Sequence, residues 1–285
     1  MKTILVTGSN GQLGNEMRVI AAQYPQYNYI FTDVAELDIC NEAALAAFFA
    51  ENKVDFIVNC AAYTAVDKAE EDVETAYKIN KDAAYLLAKF SAENEIKLIH
   101  ISTDYVFDGK SYLPYTEEMP IAPNTVYGKS KAEGEYEILK QNAKIAIIRT
   151  SWLYSSFGNN FVKTMLKLGA EKEILTVIFD QIGTPTYAAD LAFAVMKVIT
   201  AQNFVAGIYH FSNEGVCSWY DFTIAIHKAA GITTCKVLPI ESKDYPAKTP
   251  RPFYSVLNKA KIKATYGIEI PHWEDALLRC IKQLG

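Results

Sequence analysis

The chain has 285 residues, 50% of them hydrophobic and 21% charged, a composition that predicts a folded protein with one or two substantial cores. Its net charge of −5 excludes the excess of basic residues that nucleic-acid-binding proteins carry, so we expect no nucleic-acid partner. The apolar runs are too short for a signal peptide or a membrane span, and the five scattered cysteines show no paired spacing, so we predict a cytoplasmic protein with reduced thiols and no membrane contact.

Short apolar segments rich in β-branched residues alternate with longer amphipathic segments over the first 150 residues. This alternation predicts an α/β fold of the Rossmann type, a doubly wound parallel sheet with helical crossovers. The predicted strands are 3–7, 29–32, 56–60, 98–102 and 145–149. The predicted helices are 14–23, 42–51, 73–94 and 130–141.

The pattern loosens after Thr150, where we predict a loop over 151–160, helices over 161–168 and 188–200, and a last helix from Trp273. Four prolines between residues 237 and 254 indicate an irregular loop that folds over a site. We therefore predict a smaller C-terminal α/β substrate domain. The dinucleotide-binding domain would comprise 1–150 and about 180–212, and the substrate domain about 151–179 and 213–285.

A glycine-rich turn follows the first predicted strand and opens the first predicted helix. Gly8 permits a tight exit from the strand, Gly11 lets the backbone approach a pyrophosphate, and Gly14 allows close packing of helix on sheet. The helix N-terminus then faces the negative charge. The predicted cofactor contacts in this turn are Gly8, Asn10, Gly11, Gln12, Leu13 and Gly14.

Asp33 ends the second predicted strand, where a carboxylate accepts hydrogen bonds from an adenosine ribose and repels a 2′-phosphate. No Lys or Arg lies between Asp33 and Cys40, so we expect NADH to be preferred over NADPH. Asp38 and Ile39 are predicted to flank the adenine. The alternative for Asp33 is an Asp that only caps a loop.

Tyr127 and Lys131 lie four residues apart near the start of a predicted helix, so both project from one face. An ammonium beside a phenol lowers the pKa of the phenol and makes it a usable proton donor. Thr103 follows the apolar strand 98–102 and lies at the carboxyl edge of the sheet, where such folds bind ligands. We therefore predict carbonyl reduction, with Thr103 donating a second hydrogen bond to the carbonyl oxygen.

With these motifs in place, the sequence resembles the dTDP-4-dehydrorhamnose reductases, a family of extended short-chain dehydrogenases, almost from end to end. The segments that carry the resemblance are the turn 7–14 and the runs 59–70, 102–107, 127–131, 149–152, 158–161, 180–186 and 271–274. The resemblance implies reduction of the C4 keto group of dTDP-4-dehydro-L-rhamnose by NADH or NADPH.

The resemblance also implies roles for individual residues. Thr103, Tyr127 and Lys131 would be the catalytic set, and Ala61, Ala62 and Tyr63, with Tyr127 and Lys131, would touch the cofactor. The implied substrate contacts are Thr103, Asp104, Trp152, Asn160 and Arg251. Trp152 would offer a flat apolar face, and Arg251 would pair with the substrate diphosphate. Their alternatives are a core Trp and a solvated Arg.

Some members of this family hold magnesium between subunits through glutamates. Glu16 and Glu274 match two of those positions, whereas Ala189 stands where a third carboxylate would be expected. Magnesium needs several oxygen ligands in near-octahedral placement. We therefore predict no metal site, with Glu16 and Glu274 as weak candidates only, and leave a homodimer as an open expectation.

Two other functions share these motifs. A sugar-nucleotide epimerase or dehydratase would keep the turn and the Tyr-Lys pair, but dehydratases usually place a carboxylate pair directly after the threonine. Here Asp104 and Tyr105 follow Thr103, which favours simple reduction. The second alternative is a non-catalytic regulatory subunit resembling the β subunit of methionine adenosyltransferase, because a fold and its motifs do not by themselves determine activity.

Overall fold

The computed structural model describes residues 1–285, and regular elements extend over the whole chain. The strands are β1 Lys2–Thr7, β2 Tyr27–Phe31, β3 Phe56–Asn59, β4 Lys97–Thr103, β5 Lys144–Thr150, β6 Leu153–Tyr154, β7 Ile174–Ile178, β8 Ile182–Gly183, β9 Thr186–Tyr187, β10 Gly207–His210, β11 Cys217–Ser218 and β12 Lys236–Ile240. The helices are α1 Gln12–Ala21, α2 Glu42–Glu51, α3 Val66–Ala69, α4 Val73–Tyr77, α5 Ala83–Glu93, α6 Val126–Leu139, α7 Phe161–Glu171, α8 Ala188–Thr200, α9 Trp219–Ala229, α10 Ala260–Tyr266 and α11 Trp273–Leu284. None of these helices combines the length and the apolarity needed to cross a membrane.

Six parallel strands form the central sheet in the order β10-β5-β4-β3-β1-β2. Two large apolar clusters, one containing Ile4 and Val58 and the other Leu5 and Ile57, use alternate residues of the same strands and so cover opposite faces of the sheet. This confirms the predicted Rossmann-type α/β fold. All five predicted strands are present, whereas the sixth strand, β10, was not predicted.

The predicted single helix over 73–94 is interrupted. Between α4 and α5 lies a five-residue π-helix, Lys78–Asp82. Within it the side chain of Asn80 is buried and donates to the Tyr63 carbonyl at 3.1 Å and to Ser130 Oγ at 3.0 Å. Such insertions redirect one side chain without ending the helix, so the π-helix aims Asn80 at the segment that follows β3.

The predicted irregular loop over 237–254 is wrong at its start, because β12 pairs in parallel with β7 through Pro239. A proline cannot donate to a strand ladder, but β12 has β7 as its only strand neighbour and therefore tolerates one. The remaining segment, from Ser242 onwards, contains a short 3₁₀ turn and otherwise no strand or helix before α10.

The two halves of the chain are interwoven around the sheet. α8 packs against α1, with Leu191 and Val195 in the same apolar cluster as Met17, and β10 adds to the sheet beside β5. A third cluster, which includes Phe222 and Trp273, lies among α7, α9 and α11. The predicted division into two domains with boundaries near residues 150, 180 and 212 stays a prediction.

Candidate active site

The glycine-rich turn brings the end of β1 close to the segment after β3. Gly8 adopts a left-handed φ of +63°, and a Cβ there would lie 2.6 Å from the backbone of Ala61. α1 begins at Gln12, and its N-cap residue, Gly11, provides no side-chain cap. The first backbone N–H groups of α1 are therefore free to bind an anion, which fits the pyrophosphate of a dinucleotide.

A cavity of about 520 Å³ opens at the carboxyl edge of the sheet, in front of this helix end. It brings together most of the predicted site: its lining includes Gly11, Gln12, Leu13, Gly14, Ala62, Thr103, Asp104, Tyr127, Lys131, Trp152 and Asn160. Residues predicted from six separate segments thus face one space, which is large enough for part of a dinucleotide and the reacting end of a substrate.

Several predicted cofactor contacts lie outside this lining. The Asp33 carboxylate accepts from the backbone N–H of Asn10 at 3.0 Å and of Val34 at 2.8 Å, so it braces the turn at the end of β2. Ile39 is buried in a core cluster, and Asp38 accepts from the backbone N–H of Cys40. Gly8, Asn10, Ala61 and Tyr63 likewise shape the turn and its neighbour rather than line the cavity.

Tyr127 is buried at the start of α6, which Thr125 caps by accepting from the Gly128 N–H. Burial raises the pKa of the Tyr127 phenol well above its usual value, and a hydrogen bond with Thr103 only partly opposes this shift. Burial thus opposes the expected effect of the Lys131 ammonium, and the role of Lys131 in making this phenol acidic stays a prediction. Tyr127 is held as a protonated phenol, the form required of a proton donor.

Lys131 projects from the same helix and is also buried. Its Nζ donates to the Ile101 carbonyl at 2.7 Å and lies 3.2 Å from His100 Nε2. Burial lowers the pKa of Lys131 to about 8, with the nearby Glu135 acting in the opposite direction. The amine is thus hydrogen-bonded to β4 close to Thr103.

Thr103 ends β4 and begins a short 3₁₀ turn, Asp104–Val106. Its hydroxyl donates to Asp104 Oδ1 at 3.0 Å and accepts from the Tyr105 N–H at 3.2 Å. Burial raises the pKa of Asp104 to about 7, which the hydrogen bond from Thr103 partly offsets. Thr103 and Asp104 are therefore hydrogen-bonded to each other, and both face the cavity together with Tyr127.

A second cavity of about 500 Å³ adjoins the first and shares Tyr105 and Trp152 with it. Trp152 adopts a left-handed φ of +47° and stacks on Trp219 with ring centroids 3.5 Å apart. The indole is thus held against α9, at the boundary between the two cavities. Apolar residues of α7, of β7 and of the segment 245–252 line the rest of the second cavity.

Arg251 lines this second cavity but already has a partner. Its Nη2 donates to Asp67 Oδ2 at 2.6 Å, while its Nη1 and Asp67 Oδ1 are buried without partners. The predicted diphosphate contact of Arg251 stays a prediction. Asn160 caps α7 by accepting from the Lys163 N–H, and its Nδ2 donates to Gln12 Oε1, so both ends of its amide are engaged.

The two weak metal candidates, Glu16 and Glu274, differ in their exposure to solvent. Glu16 is buried and accepts from Ser155 Oγ at 2.6 Å, and burial raises its pKa. Glu274 is exposed in the first turn of α11. The structure contains no group of three or more His, Cys, Asp or Glu side chains that could hold a metal ion.

Three residues that contact the predicted site were missed. Asp67 and Trp219 line the second cavity, where they contact Arg251 and Trp152, residues that lie far from them in the sequence. His100 lies inside the apolar strand β4, and a buried polar residue at such a position is itself a signal. A buried histidine in an apolar strand needs a polar partner, and here one such partner is Lys131.

The phosphate-accepting helix end and a Thr, Tyr and Lys around one cavity at the carboxyl edge of a parallel sheet define a short-chain dehydrogenase. Comparison with known proteins gives the family. The model of the family described as RmlD substrate binding domain matches residues 1–285. The chain therefore belongs to the RmlD family, and it is an NAD(P)-dependent sugar-nucleotide reductase of that family.

Individual relatives agree with this assignment. The chain is 43% identical to the spore coat polysaccharide biosynthesis protein SpsK of Bacillus subtilis, over 99% of this chain and 98% of that protein. A crystal structure of a dTDP-4-dehydrorhamnose reductase from Clostridium acetobutylicum is similar with a TM-score of 0.95 and 44% identity over 99% of both chains. The corresponding reductase of Bacillus anthracis, solved in complex with NADP, gives a TM-score of 0.95 and 39% identity over 99% of this chain and 100% of that one.

Proposed function

We propose that this protein reduces the C4 keto group of dTDP-4-dehydro-L-rhamnose to give dTDP-L-rhamnose, the last step in the synthesis of that sugar nucleotide. The observation that carries the proposal is that Thr103, Tyr127 and Lys131 line the same cavity as the free N-terminus of α1. The names of the two structural relatives support the choice of substrate.

Bound NADH or NADPH would supply the hydride for the carbonyl carbon. The residues of the chain provide what remains. Tyr127 donates its phenolic proton to the carbonyl oxygen, and Thr103 donates a second hydrogen bond to the same oxygen once its hydroxyl turns away from Asp104. Lys131, bonded to the Ile101 carbonyl, stabilises the phenolate that Tyr127 becomes.

The substrate would extend from this point into the second cavity. Trp152 lies where the two cavities meet and offers an apolar face to the sugar. Arg251 would bind the diphosphate, because its Nη1 is buried without a partner and a guanidinium matches phosphate oxygens in two-point contacts. The Asp67 carboxylate, which accepts a hydrogen bond from Nη2, would be displaced by the more highly charged diphosphate.

We also propose that NADH is preferred over NADPH. The support is Asp33, whose carboxylate at the end of β2 would lie beside the ribose and repel a 2′-phosphate. A homodimer is a further part of the proposal. Light scattering of the purified protein tests the dimer, and the ratio of kcat/KM for the two cofactors tests the preference.

The decisive experiment follows the loss of NADH absorbance with dTDP-4-dehydro-L-rhamnose and with other keto-sugar nucleotides. One NADH consumed per molecule of the rhamnose precursor, with at least tenfold lower kcat/KM for the others, is the expected result. Turnover of substrate without stoichiometric NADH consumption would instead indicate an epimerase or dehydratase. Cofactor binding without any turnover would favour the regulatory-subunit alternative.

A further inference from the structure

Arg18 on α1 carries a positive charge that no carboxylate of the chain neutralises. The chain has four arginines. Three of them, Arg149, Arg251 and Arg279, each form an ion pair with a carboxylate at 2.6 Å. Arg18 forms no ion pair and is exposed to solvent. Its charge is therefore available to an anionic ligand, and a guanidinium is the side chain that best matches phosphate.

Two contacts hold the Arg18 guanidinium in a defined position. Its Nη2 donates to Ser9 Oγ at 2.6 Å, and its Cζ lies 4.5 Å from the centroid of the Phe31 ring. Ser9 is buried in the glycine-rich turn, and Phe31 is the last residue of β2, where it stacks on Tyr29. The guanidinium makes no other hydrogen bond within the chain, so most of its N–H donors stay available although its position is fixed.

The glycine-rich turn and the end of β2 also position the Asp33 carboxylate. The backbone N–H of Ser9 donates to the Thr32 carbonyl at 3.0 Å, and the next N–H, that of Asn10, donates to Asp33 Oδ2 at 3.0 Å. Arg18, bonded to Ser9, therefore lies beside the same end of β2 as Asp33, although the two side chains do not form an ion pair. A cation and an anion thus flank the place where the adenosine ribose is proposed to lie.

The two charges act in opposite ways on a ribose that carries a 2′-phosphate. The Asp33 carboxylate accepts from a free 2′-hydroxyl and repels a phosphate at that position. A guanidinium attracts the phosphate and binds its oxygens in two-point contacts. Because Ser9 and Phe31 already fix the guanidinium, little side-chain freedom is lost when Arg18 binds the phosphate.

We propose that Arg18 is a specificity-determining residue that binds the 2′-phosphate of NADPH. The inference rests on the proposed position of the ribose beside Asp33. Asp33 favours NADH, and Arg18 limits that preference, so that NADPH remains a usable cofactor. Neither residue lines the cavity that contains Tyr127, so both act on cofactor binding and not on the chemical step.

A purely structural role is the alternative for Arg18. In that role its side chain would only cover the Phe31 ring and provide a donor for Ser9. Loss of such contacts would loosen the turn, and every adenine nucleotide would then bind less tightly, with or without a 2′-phosphate. Only the proposed role gives an effect that depends on the 2′-phosphate.

Calorimetric titration of the full-length protein separates these roles. The two probes are adenosine 2′,5′-bisphosphate and adenosine 5′-monophosphate, which differ only in the 2′-phosphate. Arg18→Gln should weaken binding of the bisphosphate by about tenfold and change binding of the monophosphate by less than about twofold, because a charge-assisted contact to the 2′-phosphate is lost. Arg18→Lys should recover part of this loss, because it keeps the charge but not the two-point geometry.

The matched control is Lys2→Gln, which also removes one positive charge. Lys2 lies over the ring of Phe56, much as Arg18 lies over Phe31, but at the first residue of β1 and thus at the opposite edge of the sheet. Its bisphosphate affinity should match that of the wild type. Equal weakening of both probes in Arg18→Gln, no weakening of either, or a comparable loss of bisphosphate binding in Lys2→Gln overturns the proposal.

A measurement on the wild type does not depend on how a variant folds. Phosphorus-31 NMR follows the pKa of the 2′-phosphate of bound adenosine 2′,5′-bisphosphate, and the second pKa of a free phosphomonoester is about 6. A nearby cation lowers this pKa, whereas a nearby carboxylate raises it. We expect a lower pKa in the complex than in free solution. A pKa equal to or above that of the free bisphosphate would show that Asp33 acts on the 2′-phosphate without Arg18.

Failure of this inference differs from failure of the proposed function, because neither probe contains a sugar nucleotide. If Arg18→Gln binds both probes as the wild type does and the protein still reduces its substrate, only the role of Arg18 is wrong. If the probes respond as expected but no keto-sugar nucleotide is reduced, the proposed function is wrong. Asp33→Ala should strengthen bisphosphate binding, and an unchanged affinity would contradict the position of the ribose and, with it, the inference.

Discussion

Replacing Tyr127 by phenylalanine removes the proton donor and little else. The ring stays in place because it packs edge-on against Tyr105 at 5.4 Å between centroids and lies within a small buried cluster with Ala69 and Ala76. General acid catalysis by one side chain contributes about 10²–10⁴ in rate. We therefore expect kcat to fall by about 10²–10⁴-fold, or about 2.7–5.4 kcal/mol of transition-state stabilisation.

The same change should cost little stability. The Tyr127 hydroxyl has Thr103 as its hydrogen-bonding neighbour, and Thr103 keeps both Asp104 and the Tyr105 N–H as partners after the substitution. No buried polar group is left alone, so the loss should be about 1 kcal/mol, the net value of one hydrogen bond. Cofactor affinity should also be nearly unchanged, because the free helix end at Gln12 lies on a separate element.

The assay measures kcat by NADH absorbance, cofactor affinity by fluorescence titration and stability by urea unfolding. Tyr136→Phe is the matched control, since it makes the same chemical change on the same helix at a side chain that is 62% exposed. It should match the wild type in all three. A Tyr127→Phe protein whose kcat stays within about threefold of the wild type would refute the assignment of the proton donor.

Three further predictions concern the cofactor and the buried charges. Asp33→Ala should raise kcat/KM for NADPH relative to NADH, and an unchanged ratio would count against a role of Asp33 at the ribose. Glu135→Gln leaves the Arg149 guanidinium, now paired at 2.6 Å, as an uncompensated buried charge, so urea unfolding should show a loss of about 3–5 kcal/mol; a loss below about 1 kcal/mol would contradict this. Burial lowers the pKa of His210 from 6.5 to about 3, so between these pH values the unfolded state binds the extra proton and stability falls on acidification, by up to about 1.4 kcal/mol per pH unit. Unfolding of His210→Gln at pH 7 and pH 5 should show a smaller loss than the wild type, and an equal loss would exclude His210 as the cause.

Long periodic elements were predictable from the sequence because local pattern alone defines them. α2 spans Glu42–Glu51 and α8 spans Ala188–Thr200, as predicted, and α11 begins at Trp273, as predicted. β10 was not predictable in this way. Its four residues, Gly207–His210, include a glycine and a histidine, and they form a strand because they lie in register beside β5.

The same distinction between local sequence pattern and tertiary contact applies to the candidate site. The glycine turn and the Tyr127–Lys131 pair each lie within one short segment, so their spacing reveals them. The Arg251–Asp67 pair joins residues 184 positions apart, and the Trp152–Trp219 stack depends on how α9 packs against the segment after β5. The raised pKa of Tyr127 was missed for a related reason: burial is a property of the whole fold, whereas the spacing to Lys131 is local.

The position of β10 in the sheet has a consequence for synthesis on the ribosome. After β5 emerges, the growing chain presents β5 as an open sheet edge with unpaired backbone groups, and more than fifty further residues are made before β10 arrives to cover it. Domains generally fold as units during translation, and exposed strand edges promote aggregation. A nascent chain that is stalled or truncated near Thr150 should therefore be prone to aggregate. Expression of the protein as two fragments divided at that point should yield insoluble material.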